Sequence, residues 1–316
     1  MSVVRSPRQR FRWWQVLVIV PALLVVNMAA PAGAEPSGAR TPDSTFLAEG
    51  QYVETATARF HYRKAGEGPP LILLPGGSLW SYTYRDIIPA LATAHTVYAV
   101  DLPGSGYTTP HDADFGYDVG AMSDALRQFM SAVGVTRASV VAHSLNGSVA
   151  VDFAARHPEQ VDRLVLIAPL VLDTDLNMNM RLMRQPGAGE LAASVMTEEI
   201  YVAGLRGAYA HPEILTDELA DTYWTPLSRT ENRTAMWKQP RTLDLVVVQR
   251  ESSAIEADTL ILWGENDHVV DPSQARPLAQ LIPHSTLRII PGAGHNVHED
   301  DPAAVALELT GFLGPR

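Results

Sequence analysis

Short apolar runs alternate with amphipathic stretches of helical length along most of the chain. Apolar runs without polar alternation are typical of strands that are buried on both faces, as in a parallel sheet covered by helices. The predicted strands are Leu71–Leu74, Thr96–Asp101, Ala138–Ala142, Leu164–Ala168, Thr259–Trp263 and Thr286–Ile290. Helical patterns lie near 82–94, 117–133, 146–157, 272–281 and 302–312. The alternation predicts an α/β fold with a doubly wound, mostly parallel sheet, and residues 52–63 predict an antiparallel strand pair before it.

This alternation is interrupted between residues 173 and 257. The stretches "GELAASVMTEEIYVAGLRGAY" and "HPEILTDELADTY" predict helices, whereas "RTLDLVVVQRE" is ambiguous because its valine run also has strand propensity. The segment also holds several methionines, which are typical of an adaptable core or pocket lining. We therefore predict a helical cap at 173–254, inserted into a core formed by 51–172 and 255–316.

The first 34 residues differ from the rest of the chain. Four arginines precede an apolar run over 13–26, and Ala32-Gly33-Ala34 follows as a small-residue site. This order predicts a signal peptide at 1–34 and a general secretion route, because the arginines are not paired. An uncleaved anchor is the alternative, since the apolar stretch up to Ala30 approaches spanning length. Residues 35–50 are rich in Pro, Gly, Ser and Thr and predict a linker.

Composition narrows the classes of function. The chain has 46% apolar residues and no cysteine, so disulfides and thiolate nucleophiles are excluded. Removing residues 1–34 takes away four arginines and no acidic residue, which moves the formal net charge from −11 to −15. We expect a secreted or periplasmic protein, or a membrane-anchored one if the N-terminal segment is retained. We expect no nucleic-acid partner and no stable membrane association without that segment; the sequence does not indicate an oligomeric state.

The stretch "VVAHSLNGSVA" lies between a predicted strand and a predicted helix. Ser144 there is a candidate nucleophile, because a serine on a sharp strand-to-helix turn is exposed at the end of the sheet near a helix N-terminus. The usual pattern of this turn is G-x-S-x-G, whereas this chain has Ala142 and Asn146 at the glycine positions. The alternative is a serine that only caps the next helix.

Two further loops have residues that suit the same chemistry. Gly76 and Gly77 follow a buried strand, where backbone N–H groups can approach a reacting carbonyl oxygen. A simple glycine-rich turn is the alternative for that loop. The glycines of "VDLPGSGYTTP" predict a structural turn, because their spacing differs from that of phosphate-binding loops.

An acid and a base follow two later strands. Asp267 lies in the loop "GENDHVVDP" and is the predicted triad acid, with Asp173 or Asp175 as alternatives. His295 lies in "PGAGHNVHEDDP" and is the predicted base, with His298 as its competitor. Glu299 is expected to brace this loop through a hydrogen bond or an ion pair. Serine, aspartate and histidine in this chain order, each after its own strand, match the order of the α/β-hydrolase triad.

The sequence resembles α/β-hydrolase fold proteins over essentially all of residues 52–316. "DLPGSGYT" resembles the D-x-x-G-x-G-x-S turn of this superfamily, and "GAGHNVHEDDP" resembles its histidine loop. "WSYTYRDIIPAL" is similar to the segment after the oxyanion loop in haloalkane dehalogenases and epoxide hydrolases, which also carry a helical cap at the matching position. The resemblance implies that the N–H groups of Gly77 and Leu145 form the oxyanion hole.

One departure from those enzymes decides the predicted reaction. They resemble each other in using an aspartate nucleophile, whereas this chain has Ser144. A serine attacking an alkyl carbon would form an ether that water does not readily cleave. We therefore predict acyl chemistry on a small apolar or neutral ester, lactone or related substrate, with no cofactor and no metal. C–C bond hydrolysis, amide cleavage and cofactor-free perhydrolysis use the same triad and stay open, as does a non-catalytic, ligand-binding role.

Three residues are candidates for the substrate pocket. Trp80 and Tyr82 follow the predicted oxyanion loop and are either pocket aromatics or plain core. Asn146 either crowds the turn around Ser144 or points into the pocket.

Overall fold

Nine strands form one sheet in a computed structural model that describes residue 46 and residues 48–174 and 176–314. The strands are β1 (Gly50–Glu54), β2 (Ala58–Ala65), β3 (Pro70–Leu74), β4 (Thr96–Val100), β5 (Thr109–Pro110), β6 (Ala138–His143), β7 (Val161–Ile167), β8 (Asp258–Gly264) and β9 (Ser285–Ile290). Their order across the sheet is β1-β2-β4-β3-β6-β7-β8-β9, with β5 paired to β2. The sheet is antiparallel around β2 and parallel from β4 to β9. The predicted α/β class is thus confirmed.

Helices cover this sheet and fill the gap between β7 and β8. In the described part of the chain they are α1 (Ile88–Leu91), α2 (Val119–Ala132), α3 (Leu145–Arg156), α4 (Met178–Arg184), α5 (Ala188–Ser194), α6 (Glu198–Arg206), α7 (Asp217–Leu227), α8 (Thr230–Thr242), α9 (Leu245–Ser252), α10 (Ala275–Leu281), α11 (Val297–Asp300) and α12 (Pro302–Leu313). Central strands β3, β6, β7 and β8 are buried almost throughout, as expected for a parallel sheet between helices.

Local sequence explains where several helices begin. Asp118 accepts a hydrogen bond from Ala121 N at the start of α2, and Thr216 accepts one from Leu219 N at the start of α7. Such side chains satisfy N–H groups that have no partner within the helix. Asp244 accepts a bond from Val247 N in the same way, so the ambiguous "RTLDLVVVQRE" stretch contains the start of helix α9 rather than a strand.

The segment between β7 and β8 contains α4 to α9 and no strand among its described residues. It includes residues 173–254, which the sequence predicts to form a helical cap. The long helix-like stretch over 189–209 is two helices, α5 and α6. They are separate because Thr197 caps a new helix and accepts a bond from Ile200 N.

Residues 82–94 form two short pieces instead of the continuous helix that their pattern predicts. A 3₁₀ turn covers Ser81–Tyr84, and α1 begins only at Ile88. Pro89 explains the interruption. Inside a continuous helix its ring would clash with the carbonyl group of residue 85, whereas a proline in the first turn is tolerated.

Most of the predicted N-terminal segments lie outside the described residues, including the signal peptide at 1–34 and residues 35–45 of the predicted linker. The end of the predicted linker is described, and there Phe46 is buried and packs edge-on against Trp80 and Tyr82. The end of the predicted linker therefore belongs to the core, and Gly50 is already paired in β1. Within the described ranges, no helix has the length and apolar character needed to cross a membrane.

Candidate active site

Ser144 lies on the sharp turn between β6 and α3. Its φ of 52° and ψ of −122° fall in a region that a non-glycine residue rarely adopts, which costs about 1–3 kcal/mol. Backbone bonds hold this conformation: Ser144 N donates to Ile167 O at 3.0 Å, and Ser144 O accepts from Gly147 N and Leu170 N, both at 2.9 Å. The side chain makes no capping bond to α3, so the alternative of a simple capping serine does not describe this residue.

The Ser144 hydroxyl contacts His295 instead. His295 Nε2 lies 2.8 Å from Ser144 Oγ, and His295 Nδ1 lies 2.8 Å from Asp267 Oδ2. All three residues follow the carboxyl ends of strands in the parallel part of the sheet, which is where α/β folds bind ligands. The structure therefore brings together the serine, the histidine and the aspartate that the sequence singles out.

Asp267 is buried and strongly oriented. Only 3% of the residue is exposed, and its Oδ1 accepts hydrogen bonds from Val269 N at 2.8 Å and Val270 N at 3.0 Å. These bonds leave Oδ2 for His295. Of the two alternative acids, Asp173 is exposed and its backbone N donates to Gln249 Oε1 at 2.8 Å, whereas Asp175 lies outside the described residues.

The competing histidine, His298, is directed away from the serine. Its Nε2 lies 2.7 Å from Thr83 Oγ1, and Thr83 donates its own proton to Glu299 Oε1 at 2.7 Å, so His298 Nε2 is the donor in this pair. Complete burial lowers the pKa of His298 to about 3, with smaller effects from Arg85 and His295. His298 therefore stays neutral and is occupied by its neighbours.

Glu299 is the centre of a buried polar cluster beside the histidine loop. Its two carboxylate oxygens accept from Arg85 Nη1, Tyr223 OH and Thr83 Oγ1, each at 2.7 Å, and from Tyr209 OH at 3.2 Å. The ion pair with Arg85 is the brace that the sequence predicts for Glu299. Because Tyr209 and Tyr223 come from the inserted segment, this carboxylate also ties that segment to the histidine loop.

His143, next to the candidate nucleophile, contacts His295 through its ring and through a hydrogen bond. Its Nε2 lies 3.0 Å from the backbone oxygen of His295, and the two rings lie 4.8 Å apart. Complete burial lowers the pKa of His143 well below its ordinary value, with smaller effects from His295 and His298. The ring is therefore neutral and donates its Nε2–H to the carbonyl group of His295.

The loop after β3 lies directly against the turn around Ser144. A methyl group at Gly76 would come within 2.6 Å of His143 Nδ1 and 3.2 Å of Ser144 Cβ, and one at Gly77 would lie 3.0 Å from Leu145 Cδ2. Only glycine allows this approach without displacement of the neighbours. Gly77 is exposed, and Ser144 and Leu145 are partly exposed, so the backbone N–H groups predicted to form an oxyanion hole flank an accessible serine.

The three candidate pocket residues occupy different environments. Asn146 is only 3% exposed, and its Nδ2 donates to Pro75 O at 2.6 Å, so its side chain lies between the turn around Ser144 and the loop after β3. Trp80 is 1% exposed, lies in a cluster of aromatic rings and donates from Nε1 to Thr222 O at 3.1 Å. Tyr82 is half-buried and stacks on Trp80.

The inserted segment is bonded directly to the histidine loop. His295 N donates to Ala208 O at 2.8 Å. The Asp300 carboxylate accepts from three backbone amides, those of Gly294 at 2.7 Å, Ala210 at 3.1 Å and His211 at 3.1 Å. The sequence does not predict the contacts between the inserted segment and the histidine loop, because they join residues about ninety positions apart that share no pattern.

A cavity of about 480 Å³ lies beside Asp267. Its lining includes Asp267, His268, Asn177 and Met180, and it contains none of the predicted pocket residues. Among the described residues, no group of three or more histidine, aspartate or glutamate side chains is placed to hold a metal ion.

Comparison with known proteins identifies the family. The chain matches the alpha/beta hydrolase fold family over residues 69–302, and it belongs to this family. An uncharacterized protein of Mycobacterium tuberculosis is 31% identical over 255 residues, which covers 77% of this chain and 74% of that protein. A cis-3-alkyl-4-alkyloxetan-2-one decarboxylase of Shewanella oneidensis is 24% identical, covering 81% of this chain and 85% of that enzyme.

Enzymes named as hydrolases are also similar. A 2-hydroxy-6-oxo-6-phenylhexa-2,4-dienoate hydrolase of Burkholderia cepacia is 27% identical over 244 residues, covering 75% of this chain and 85% of that enzyme. The structure of a meta-cleavage product hydrolase from Pseudomonas fluorescens superimposes with a TM-score of 0.74 and 23% identity, covering 84% of this chain and 98% of that one. The present chain is thus a hydrolase with the α/β-hydrolase fold.

Proposed function

We propose that this hydrolase is a serine hydrolase that cleaves an ester, a lactone or a related acyl substrate through an acyl-enzyme. One observation carries the proposal: two contacts of 2.8 Å link Ser144 Oγ to His295 Nε2, and His295 Nδ1 to Asp267 Oδ2. A hydroxyl group, an imidazole and a carboxylate in this arrangement can activate the hydroxyl group as a nucleophile.

In the acylation step, Ser144 Oγ forms a bond to the carbonyl carbon while its proton passes to His295 Nε2. The carbonyl oxygen becomes an anion, which the N–H groups of Gly77 and Leu145 stabilise. The bond to the leaving group then breaks, and the leaving group takes the proton from His295. Asp267 holds the Nδ1–H of His295 and stabilises the positive charge that the ring carries between these proton transfers.

In the deacylation step, His295 Nε2 accepts a proton from water, and the oxygen of that water attacks the acyl carbon. Breakdown of the second tetrahedral intermediate releases the acid and returns the proton to Ser144. With a lactone, the leaving alkoxide stays on the acyl chain, so the single product is a hydroxy acid.

The expected substrate is a small neutral or apolar acyl compound. The chain has a formal net charge of −11, which disfavours anionic substrates and nucleic acids. The relative from Shewanella oneidensis supports a lactone, because an oxetan-2-one is a four-membered lactone.

Hydrolysis of a C–C bond is a second candidate. The relative from Burkholderia cepacia acts as a hydrolase on a hydroxy-oxo-dienoate, and that name describes a ketone and a carboxylate but no ester. The same three side chains would activate a nucleophile for attack on the ketone carbon. Amide cleavage and perhydrolysis are further uses of this set of groups.

A substrate panel on purified residues 35–316 tests the proposal. The panel contains chromogenic esters of increasing acyl chain length, a β-lactone and a 2-hydroxy-6-oxo-dienoate, each assayed with the wild type and with Ser144→Ala. We expect turnover of an ester or of the lactone that Ser144→Ala abolishes. Turnover of the dienoate alone would replace the proposal by C–C hydrolysis, and no turnover by folded protein would favour a non-catalytic role.

We also propose that residues 1–34 are a signal peptide and that the mature enzyme is exported. The support is the order of basic, apolar and small residues in that segment. N-terminal sequencing of the protein from the periplasm or the culture medium is expected to begin at Glu35. Intact protein found only in the membrane fraction would show that the segment is a retained anchor instead.

A further inference from the structure

The loop Pro75–Leu79, which carries the predicted oxyanion donor Gly77, is a tight turn with strained geometry. Leu79 N donates to Gly76 O at 3.2 Å, which closes the turn. Ser78 has a φ of 63°, in the left-handed region that a serine adopts only at a cost. A turn with two glycines and one strained residue needs outside contacts to keep a single conformation.

Buried side chains provide such contacts near both ends of the turn. Asn146 Nδ2 donates to Pro75 O at 2.6 Å, and Tyr201 OH donates to Ser78 O at 2.9 Å. Asn146 comes from α3, directly after the nucleophile turn, whereas Tyr201 comes from α6 of the inserted segment. Ser105 Oγ also donates to Leu79 O at 2.6 Å, so four carbonyl groups of the loop, those of residues 75, 76, 78 and 79, have donors.

The orientation of the Gly77 N–H follows from the bond that closes the turn, and the bonds from Asn146 and Tyr201 hold the peptides on either side of it. In a planar trans peptide the C=O and N–H groups point in opposite directions. Because the carbonyl group of Gly76 is bonded to Leu79 N, the N–H of Gly77 in the same peptide points away from that bond. A flip of this peptide would aim a carbonyl oxygen where the N–H now points, and it would repel a developing oxyanion instead of stabilising it.

We propose that Asn146 and Tyr201 are positioning residues that hold this loop so that the Gly77 N–H serves the oxyanion. This inference rests on the proposed function, because it assumes acyl chemistry at Ser144. It also makes the oxyanion hole depend on the inserted segment, since α6 must be in position for Tyr201 to bind Ser78. Asn146 stands where the family pattern has glycine, so its side-chain bond to Pro75 is one that glycine could not make.

Both side chains are suited to a permanent role as donors. Burial raises the pKa of the Tyr201 phenol far above its ordinary value, with a smaller effect from Glu299, so the phenol keeps its proton. An amide does not titrate, and Asn146 is almost fully buried. Neither donor is therefore lost within the pH range in which a histidine base works.

The test compares Asn146→Ala and Tyr201→Phe with two matched controls. Asn232→Ala removes another buried amide that donates to backbone carbonyls, and Tyr62→Phe removes another tyrosine hydroxyl, bonded to Gln51. Each variant is assayed for kcat and KM on the best ester and for the Ki of an alkyl boronic acid. Boronic acids form a tetrahedral anion on a serine, so they report on the oxyanion site, whereas KM reports mainly on ground-state binding.

We expect kcat to fall about 10- to 100-fold in Asn146→Ala and Tyr201→Phe, with less than a threefold change in KM. The boronic acid Ki should rise by the same factor as kcat falls, while both controls stay within twofold of the wild type. Values of kcat and Ki within twofold of the wild type in folded Tyr201→Phe would overturn the inference. So would a raised KM at unchanged kcat, because it would indicate a pocket role.

One further measurement separates this failure from failure of the proposed function. A fluorophosphonate that labels Ser144 in the wild type shows that the nucleophile is active, so unchanged variants would then overturn only the positioning role. A wild type that takes up no fluorophosphonate would overturn both proposals. Circular dichroism and the melting temperature establish that each variant is folded.

Discussion

The backbone of Ser144 is held in a conformation that a serine outside such a turn rarely adopts. Its N–H and C=O groups bond to residues 167, 147 and 170, which belong to β7, to α3 and to the loop after β7. The neighbouring elements therefore fix the turn from both sides, and the side chain is left without a capping bond. Strain of this kind persists only where the surroundings over-determine the geometry, which is typical of functional sites.

At this scale, the identity of the acid gives the first prediction. Asp267→Asn keeps the shape of the side chain but favours the wrong tautomer of His295 and removes the negative charge beside it. By analogy with the triad of serine proteases, kcat should fall by roughly 10³- to 10⁴-fold at nearly unchanged KM. Asp173→Asn is the control and should keep wild-type kinetics, because Asp173 is exposed. Equal kcat values for Asp267→Asn and the wild type would exclude Asp267 as the triad acid.

The close approach of Gly76 to the turn around Ser144 gives the second prediction. In Gly76→Ala the new methyl group would lie 2.6 Å from His143 Nδ1, so the loop or the turn must shift. We expect a stability loss of about 1–3 kcal/mol and a lower kcat. Gly311→Ala is the matched control, because Gly311 lies in α12 with open space around it and should gain about 0.4–1 kcal/mol. Urea unfolding and ester kinetics measure both effects, and a Gly76→Ala variant as stable and active as the wild type would contradict the observed packing.

Among the elements, the inserted helices are bonded directly to the loops that carry the candidate site residues. The carbonyl group of Ala208 accepts from His295 N, Asp300 binds the amides of residues 210 and 211, and Tyr201 reaches the loop after β3. Movement of α6 or of the residues after it would therefore disturb both His295 and the predicted oxyanion site. The geometry of the site is a joint property of the sheet and the inserted segment.

One contact between inserted helices responds to pH. Burial, together with a hydrogen bond and the charge of Asp221 in α7, raises the pKa of Glu198 in α6 to about 7, and the charges of Glu199 and Asp217 add smaller effects. The folded protein then holds a proton at this carboxyl between about pH 4.5 and 7, where the unfolded chain has lost it. Its contribution to the free energy of unfolding therefore decreases as pH rises through this window.

The third prediction concerns this loss of stability with rising pH. Glu198→Gln cannot lose a proton, so the melting temperature of the variant should rise relative to the wild type on going from pH 5 to pH 8. Glu67→Gln, which changes an exposed residue between β2 and β3, should show no such pH-dependent difference. Thermal melts of the three proteins in matched buffers measure this effect. Parallel curves for Glu198→Gln and the wild type would mean that the carboxyl group is already ionised at pH 5.

The sequence predicts the strands better than the contacts between them. Every predicted strand is present, because uninterrupted apolar runs with turn residues at their ends are typical of buried strands. The same pattern brings Ser144, Asp267 and His295 to one edge of the sheet. The pattern could not predict the hydrogen bonds that Tyr201, Asp300 and the amide of Asn146 make. Those bonds depend on how the inserted helices and loops pack, and no periodicity encodes that packing. The pattern also misplaces helix ends where a proline or a capping threonine divides an apolar stretch, at Pro89 and Thr197.

At the scale of the whole molecule, buried neutral histidines make the fold sensitive to acid. His143 and His298 are completely buried and have lowered pKa values, that of His298 being about 3. Below their ordinary pKa of about 6.5, the unfolded chain binds protons at these rings that the folded protein does not bind. The free energy of unfolding therefore decreases as pH falls below about 6.5, by up to about 1.4 kcal/mol per pH unit for each ring.

The fourth prediction follows for His298→Gln, whose amide can still donate to Thr83. The variant should lose less stability than the wild type between pH 6.5 and pH 4, whatever its stability at pH 7. His111→Gln is the control, because His111 is exposed, and it should follow the wild-type curve. Urea titration at each pH measures the free energy of unfolding of the three proteins. An identical acid slope for His298→Gln and the wild type would show that His298 takes up a proton without unfolding.

The central claim is that Ser144 is a nucleophile activated by His295 and Asp267, and covalent labelling tests it most directly. Folded wild-type protein, Ser144→Ala and His295→Ala are each treated with a fluorophosphonate at pH 7.5, digested and mapped by mass spectrometry. We expect one adduct on Ser144 in the wild type, none in Ser144→Ala and a much slower reaction in His295→Ala. An unmodified Ser144 in folded wild-type protein, or equal labelling rates with and without His295, would contradict the claim.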